Sequence, residues 1–129
     1  MMMVDSGGRR VLVVEDDERV RGALCDYLSE LGFTAEAAAS GSEAIARFEP
    51  EAFRLVVTGY KMPGLSGLDV VRQMRARDPT LPVLIVSGYA REFASEARAL
   101  GVPVLPKPVD FGVFAQMVEG ITTESDPQA

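Results

Sequence analysis

The chain of 129 residues contains no histidine. That absence excludes a Ser-His-Asp triad, a Cys-His pair, histidine metal ligands and a phosphohistidine donor within this sequence. It has one cysteine, Cys25, which excludes an internal disulfide and a cysteine-based zinc site. No apolar run approaches the roughly 18 residues needed to cross a bilayer. MMMVDSGGRR at the N-terminus lacks the apolar segment of a secretory signal. Basic residues are outnumbered, 13 against 19 acidic, for a net charge of −6. A surface of that sign argues against nucleic-acid binding, which needs clustered Lys and Arg. No internal repeat and no low-complexity segment is present.

What remains is a chain with 47% apolar residues, enough for one domain with a sizeable core. Short apolar runs alternate with helical patterns five times. RVLVVE, residues 10–15, holds four consecutive apolar residues, three of them β-branched, and reads as a strand. Asp17 is placed to cap a helix from about Glu18 to Leu31 with Val20, Leu24, Tyr27, Leu28 and Leu31 on one face, and Gly32 ends it. TAEAA, residues 34–38, is a weak second strand. Ser40 and Glu43 have capping-box spacing before a short helix reaching Phe48, with Ala44, Ile45 and Phe48 inward. Leu55 to Thr58 is the third strand. Its helix spans Gly67 to Arg77 behind Ser66, with Leu68, Val71 and Met74 inward. Pro82 to Ser87 is the fourth strand, followed by a helix from Arg91 to Leu100 that turns Phe93, Ala97 and Leu100 inward. Val102 to Leu105 is the fifth strand, and a last helix runs from Asp110 to about Ile121 on Phe111, Phe114, Val118 and Ile121.

Such alternation predicts a doubly wound α/β domain with a parallel sheet. Strands one, three and four are unbroken apolar runs, as expected of strands covered on both faces. Strand two is interrupted by Glu36 and strand five contains Pro103, which suits an edge. With right-handed crossovers this is consistent with the flavodoxin-like (βα)5 order 2-1-3-4-5. Residues 1–8 and 122–129 are expected to be flexible, and 9–121 to form the single domain.

In that layout four strand ends meet at the carboxyl edge, where α/β proteins place their chemistry. They deliver Glu15 and Asp16, Thr58 and Gly59, Ser87 and Gly88, and Lys107 before Pro108. An acidic pair, a hydroxyl and an ammonium form a set suited to phosphoryl chemistry: carboxylates for Mg2+, and the hydroxyl and lysine for phosphoryl oxygens. The structural readings are simpler. Glu15, Asp16 and Asp17 would serve as acids favoured at a helix N-terminus, worth about 0.3–1 kcal/mol each. Gly59 would be a turn glycine, Ser87 a strand-end hydroxyl making a local bond, and Lys107 a solvated lysine. Asp17 fits the structural reading best; Glu15 and Asp16, in their full context, fit a metal-site remnant.

The segments VLVVEDD, LVVTGYKMPGLSGLDV, VLIVSGYA and VLPKP together resemble the receiver domains of response regulators in bacterial two-component signalling, and the resemblance runs from Val11 to about Ile121. It implies that Glu15 and Asp16 match the acidic pair that holds Mg2+, that the Lys61 backbone carbonyl matches a third ligand, that Ser87 matches the switch hydroxyl, and that Lys107, preceding a typically cis proline, matches the invariant lysine. Two positions depart from the family. Gly59 stands where the phosphoacceptor aspartate is expected, which also removes one Mg2+ ligand. Val104 stands where the aromatic switch residue is expected. The resemblance therefore implies a cytoplasmic pseudo-receiver that works by protein–protein interaction and needs no cofactor, with Mg2+ bound weakly if at all. Its expected partners are a histidine kinase, hybrid-kinase domains or a downstream effector. The surface of the fourth helix, fifth strand and fifth helix is the expected binding face, or the face of a homodimer, where a minority of Tyr89, Phe93, Phe111 and Phe114 would be exposed. With no carboxylate at position 59, Lys107 is expected to pair with Asp16.

Three alternatives compete with this reading. A small Mg2+-dependent phosphotransferase or phosphatase would lack its nucleophile at Gly59. A receiver using a surrogate acceptor would most credibly use Asp16, ahead of Thr58 and Ser66, since alcohols replace a carboxylate poorly. A flavin or nucleotide binder would need a glycine-rich loop where Glu15-Asp16-Asp17 stands.

Overall fold

Strand and helix alternate along the chain because the apolar spacing switches between 2 and 3.6 residues. The computed structural model describes residues 9–124, with side chains through 123. Its elements are β1 (Arg10–Val14), α1 (Glu18–Glu30), β2 (Thr34–Ala38), α2 (Gly41–Arg47), β3 (Leu55–Gly59), α3 (Gly67–Arg77), β4 (Val83–Ser87), α4 (Ala94–Ala99), β5 (Val104–Pro106) and α5 (Phe111–Glu124). The strands form one parallel sheet in the order β2-β1-β3-β4-β5. Every residue of β3 and β4 is buried, while β2 and β5 are partly exposed edges.

Alternation along β1 builds two core layers. Leu12 and Val14 face the layer with Val56, Phe48, Val71, Met74, Ile85 and Phe93. Val11 and Val13 face the layer with Leu24, Leu28, Val57, Leu84, Phe114 and Val118. Burying one such side chain contributes about 1.5–3 kcal/mol before chain entropy is charged against it. In register, Val14 lies beside Thr58 and Gly59 beside Val86, so β1, β3 and β4 end close together.

The caps explain where the helices start. Asp17 accepts from the amides of Arg19 and Val20. Ser66 and Asp69 close a reciprocal capping box on α3. At α2 the box is offset: Ser40 accepts from the Glu43 amide, but the Glu43 carboxylate reaches Ala39 rather than the cap residue.

Three boundaries differ from the sequence expectation by more than one residue. The fourth helix starts late. Residues Ala90–Glu92 make a 3-10 turn, and Phe93 leaves helical geometry (φ −130°, ψ 19°) to seat its ring in the core, stacked on Tyr60 at 3.8 Å. The fifth strand begins at Val104 rather than Val102, because the Val102 amide closes the end of α4 on Ala97. The last helix continues to Glu124: Thr122 is buried and its hydroxyl donates to the Val118 carbonyl. Residues 122–124 are therefore helical, where the sequence expectation has the start of a tail. The expected flexible residues 1–8 and the remainder of the tail, 125–129, lie outside the described residues.

Candidate functional site

The carboxyl ends of β1, β3 and β4 and the β5–α5 loop bring Glu15, Thr58, Gly59, Ser87 and Lys107 together. Glu15 is the first residue past β1. Its amide donates to the Ala38 carbonyl at 3.1 Å, which holds the backbone extended and turns the side chain inward. The residue is only 1% exposed. One carboxylate oxygen accepts from the Asp17 amide at 3.0 Å; the other lies 3.2 Å from Lys107 Nζ. The Arg21 guanidinium donates to the Glu15 carbonyl at 2.9 Å and so steadies the same turn.

Gly59 makes room for this arrangement. It is not among the residues with left-handed backbone, so a side chain at 59 would be conformationally allowed. Its Cβ would, however, fall 2.8 Å from Glu15 Oε1. The Glu15 carboxylate therefore occupies the space into which a side chain at 59 would project. Gly67, where α3 begins, matters for a different reason. A Cβ there would lie 2.1 Å from the Gly59 carbonyl oxygen, and its amide donates to the Tyr60 carbonyl at 2.8 Å. Bare glycine lets α3 seat directly on the end of β3.

Lys107 is placed by backbone and side chain together. Its amide donates to the Ser87 carbonyl at 3.1 Å, and the Lys107–Pro108 bond is cis. The expected partner Asp16 is not its partner. Asp16 is exposed, with its carboxyl beside that of Glu15, while Glu15 is buried and carries the contact to Lys107 in the space next to Gly59. The other hydroxyls make local bonds. Ser87 accepts from the Tyr89 amide at 2.9 Å, and Thr58 donates to the Gly59 carbonyl at 2.9 Å. Lys61 is exposed, with its ammonium 4.3 Å from the Tyr89 ring centroid. Val104 is half-buried against the core layer that holds Phe93.

Electrostatics follow from the burial. Desolvation pushes the Glu15 carboxyl above the ordinary carboxylate range, and the Asp17 amide and Lys107 ammonium offset this only in part. The Asp17 carboxyl is held below its usual range by the helix amides it caps, first that of Val20. As arranged, the donor set is incomplete for a divalent cation. Glu15 is engaged by Lys107, Gly59 offers no carboxylate, and among the described residues no group of three acidic, cysteine or histidine side chains is placed to hold a metal. Beside Lys107 lies a cleft of about 500 Å3, lined by Val20, Leu24, Tyr27, Pro108 and Val109 with Arg19 at its margin.

Glu15, Thr58, Gly59, Ser87 and Lys107, expected at this edge from the sequence, lie there together. Sequence reasoning missed the Glu15–Lys107 pair, the steadying role of Arg21 and the close approach at Gly67. The Gly67 signal was legible only in part, as a small residue directly after a cap. Among the described residues no helix is long and apolar enough to cross a membrane.

Comparison with known proteins agrees with this geometry. The family profile of the response regulator receiver domain matches residues 11–119. Response regulator MprA of Mycobacterium ulcerans is 39% identical over 104 residues, covering 77% of this chain and 44% of MprA. Among solved structures, the receiver domain of the hybrid histidine kinase CckA is 32% identical with a TM-score of 0.74, covering 88% of this chain and 98% of that one. The response regulator TrrA of Thermotoga maritima, solved in complex with Mg2+-BeF, is 25% identical with a TM-score of 0.78, covering 88% and 98%. The chain spans less than half the length of the MprA relative it matches. With the 2-1-3-4-5 sheet and the cleft at its carboxyl edge, these matches establish that the chain belongs to the response regulator receiver domain family.

Proposed function

We propose that this receiver domain serves two-component signalling without accepting a phosphoryl group, by contact with a protein partner. The observation that carries the reading is the state of position 59: a glycine, with the Glu15 carboxylate filling the adjoining space and held there by Lys107. Neither a nucleophile nor a third carboxylate is available where the family resemblance expects the acceptor. Thr58 is buried and donates its proton to a backbone carbonyl, which favours neither attack nor release. Val104 offers no ring to swing between buried and exposed positions, so the usual relay to the outer surface is also missing.

Mg2+ is not required in this reading. TrrA was solved with Mg2+-BeF; here Glu15, Asp16 and the Lys61 carbonyl would give at most a weak site, because Glu15 would have to leave Lys107 first. The domain acts in the cytoplasm on a histidine kinase, a hybrid-kinase domain or a downstream effector. The surface formed by α4, β5 and α5 is the proposed contact face or homodimer face. Tyr89, just before α4, is 46% exposed, and Val113, on α5, is 43% exposed. Phe93 and Phe114, by contrast, are core.

Incubation with a small-molecule phosphodonor and Mg2+, followed by intact-mass measurement, tests the reading. No added phosphoryl mass is expected. An adduct on Asp16, Thr58 or Ser66 would replace this reading with that of a receiver using a surrogate acceptor. Turnover of an acyl phosphate that depends on Glu15 and Asp16 would favour the phosphatase.

A further inference from the structure

We infer that Glu15 is the built-in counter-ion of Lys107 and locks the cleft in one arrangement without any ligand. The inference rests on the phosphate-independent reading and specifies how the site is held. Three observations carry it. The Glu15 side chain is 2% exposed, so its carboxylate has little water to compensate its charge. Its Oε1 lies 3.2 Å from Lys107 Nζ and 2.8 Å from where a Cβ of residue 59 would stand. Its other oxygen is already fixed by the Asp17 amide. A carboxylate anchored at one oxygen and paired at the other joins the end of β1 to the loop that follows β5.

That link has a consequence at the surface. Lys107 leads directly into Pro108 and Val109, which line the cleft beside α1. With Lys107 tied both to Ser87 through its backbone and to Glu15 through its ammonium, the Lys107–Val109 loop keeps one position whether or not a ligand is present. Glu15 is thus a positioning residue. A Cβ at 59 would stand 2.8 Å from the inward Glu15 Oε1, so a side chain there would displace the end of that flexible carboxylate, and a carboxylate introduced at 59 would compete with Glu15 for Lys107.

The test is a double-mutant cycle on the full chain, reading the unfolding equilibrium constant for Glu15→Gln, Lys107→Met and the pair. The expected coupling is about tenfold, as for a charge-assisted hydrogen bond with one buried partner. In the Gly59→Asp background the coupling should fall to about twofold or less, because the new carboxylate competes for the lysine. Additive effects in the unaltered chain would overturn the lock, as would a coupling indifferent to Gly59→Asp. A second readout needs no variant. The sequence has two lysines, Lys61 and Lys107, so limited acylation of the folded chain followed by peptide mass analysis compares them directly. Lys107 should react about tenfold more slowly than exposed Lys61, since its ion pair must open first; equal rates would overturn the lock. Neither measurement involves a phosphodonor. A free Lys107 would sink the lock alone, whereas a phosphoryl adduct would sink the reading on which it rests.

Discussion

Val11 to Val14 and Leu55 to Val57 are fully enclosed between two helical layers. At the ends of the same two strands come Glu15 and Gly59, both buried, and the exposed Asp16. Along the enclosed stretch each side chain is specified by its neighbours, and any loss of volume is felt by all of them. At the edge, Gly59 stands where the family resemblance expects an acidic side chain, and the Glu15 carboxylate lies in the adjoining space, 3.2 Å from Lys107 Nζ. Fold and edge chemistry are therefore carried by separate residues here, and the receiver fold forms with glycine at position 59.

Substitutions in the two regions should have effects of different size. The largest effect is expected in the enclosed region. Phe114→Ala empties a fully buried ring site on α5 and should cost about 3–5 kcal/mol in denaturant unfolding. A cost below that of a surface substitution would show that the layer is not packed as described. At the edge, Gly67→Ala should cost about 1–3 kcal/mol, because the new methyl would press on the Gly59 carbonyl. Amide shifts in NMR spectra should then centre on Gly59 and Tyr60; shifts confined to the α3 surface would contradict the close approach. Ser66→Ala removes the Asp69 amide's cap on α3 and should cost about 1 kcal/mol.

The smallest effect is expected far from the cleft, at the Arg10–Glu36 pair between β1 and β2. The two side chains meet at 2.5 Å. The hydrogen bond from Arg10 is the main cause that holds the Glu36 carboxyl below its ordinary value of 4.5. A lowered folded value means that the pair's contribution is complete above the ordinary glutamate range. It disappears as the pH falls through the folded value. A double-mutant cycle should give about 0.2–1 kcal/mol near neutral pH and less in acid. A coupling that grows on acidification would contradict the assignment.

The sheet order was legible because its signals are local and redundant. Unbroken apolar runs marked β1, β3 and β4 as central, while Glu36 and Pro103 marked the edges. Caps at Asp17 and Ser66 fixed two helix starts to the residue. The start of α4 was not legible. Phe93 fits helical spacing, and only the tertiary demand to stack its ring on Tyr60 pulls its backbone out of the helix. The end of α5 was missed because Thr122 reads as a polar tail residue, although its hydroxyl is satisfied by the turn before it.

At the carboxyl edge the placement of the residues was legible but one pairing was not. Glu15 and Asp16 are adjacent acids, and nothing in their order says which of them faces Lys107. That depends on the alternation of side chains at the end of β1 and on the space beside Gly59, both of which exist only once the sheet has formed. Ser87 was open to a functional or a local reading, and its contact with the Tyr89 amide shows the local bond.

The most direct test of the central claim is an NMR titration with Mg2+ and beryllofluoride of this chain and of Gly59→Asp. Beryllofluoride mimics an acyl phosphate only where a carboxylate stands at the acceptor position. The chain with Gly59 should be silent and Gly59→Asp should respond at the ends of β1, β3 and β4, which would show an intact cleft lacking only its acceptor. A response from the chain with Gly59 would mean that another carboxylate serves, and would contradict the account.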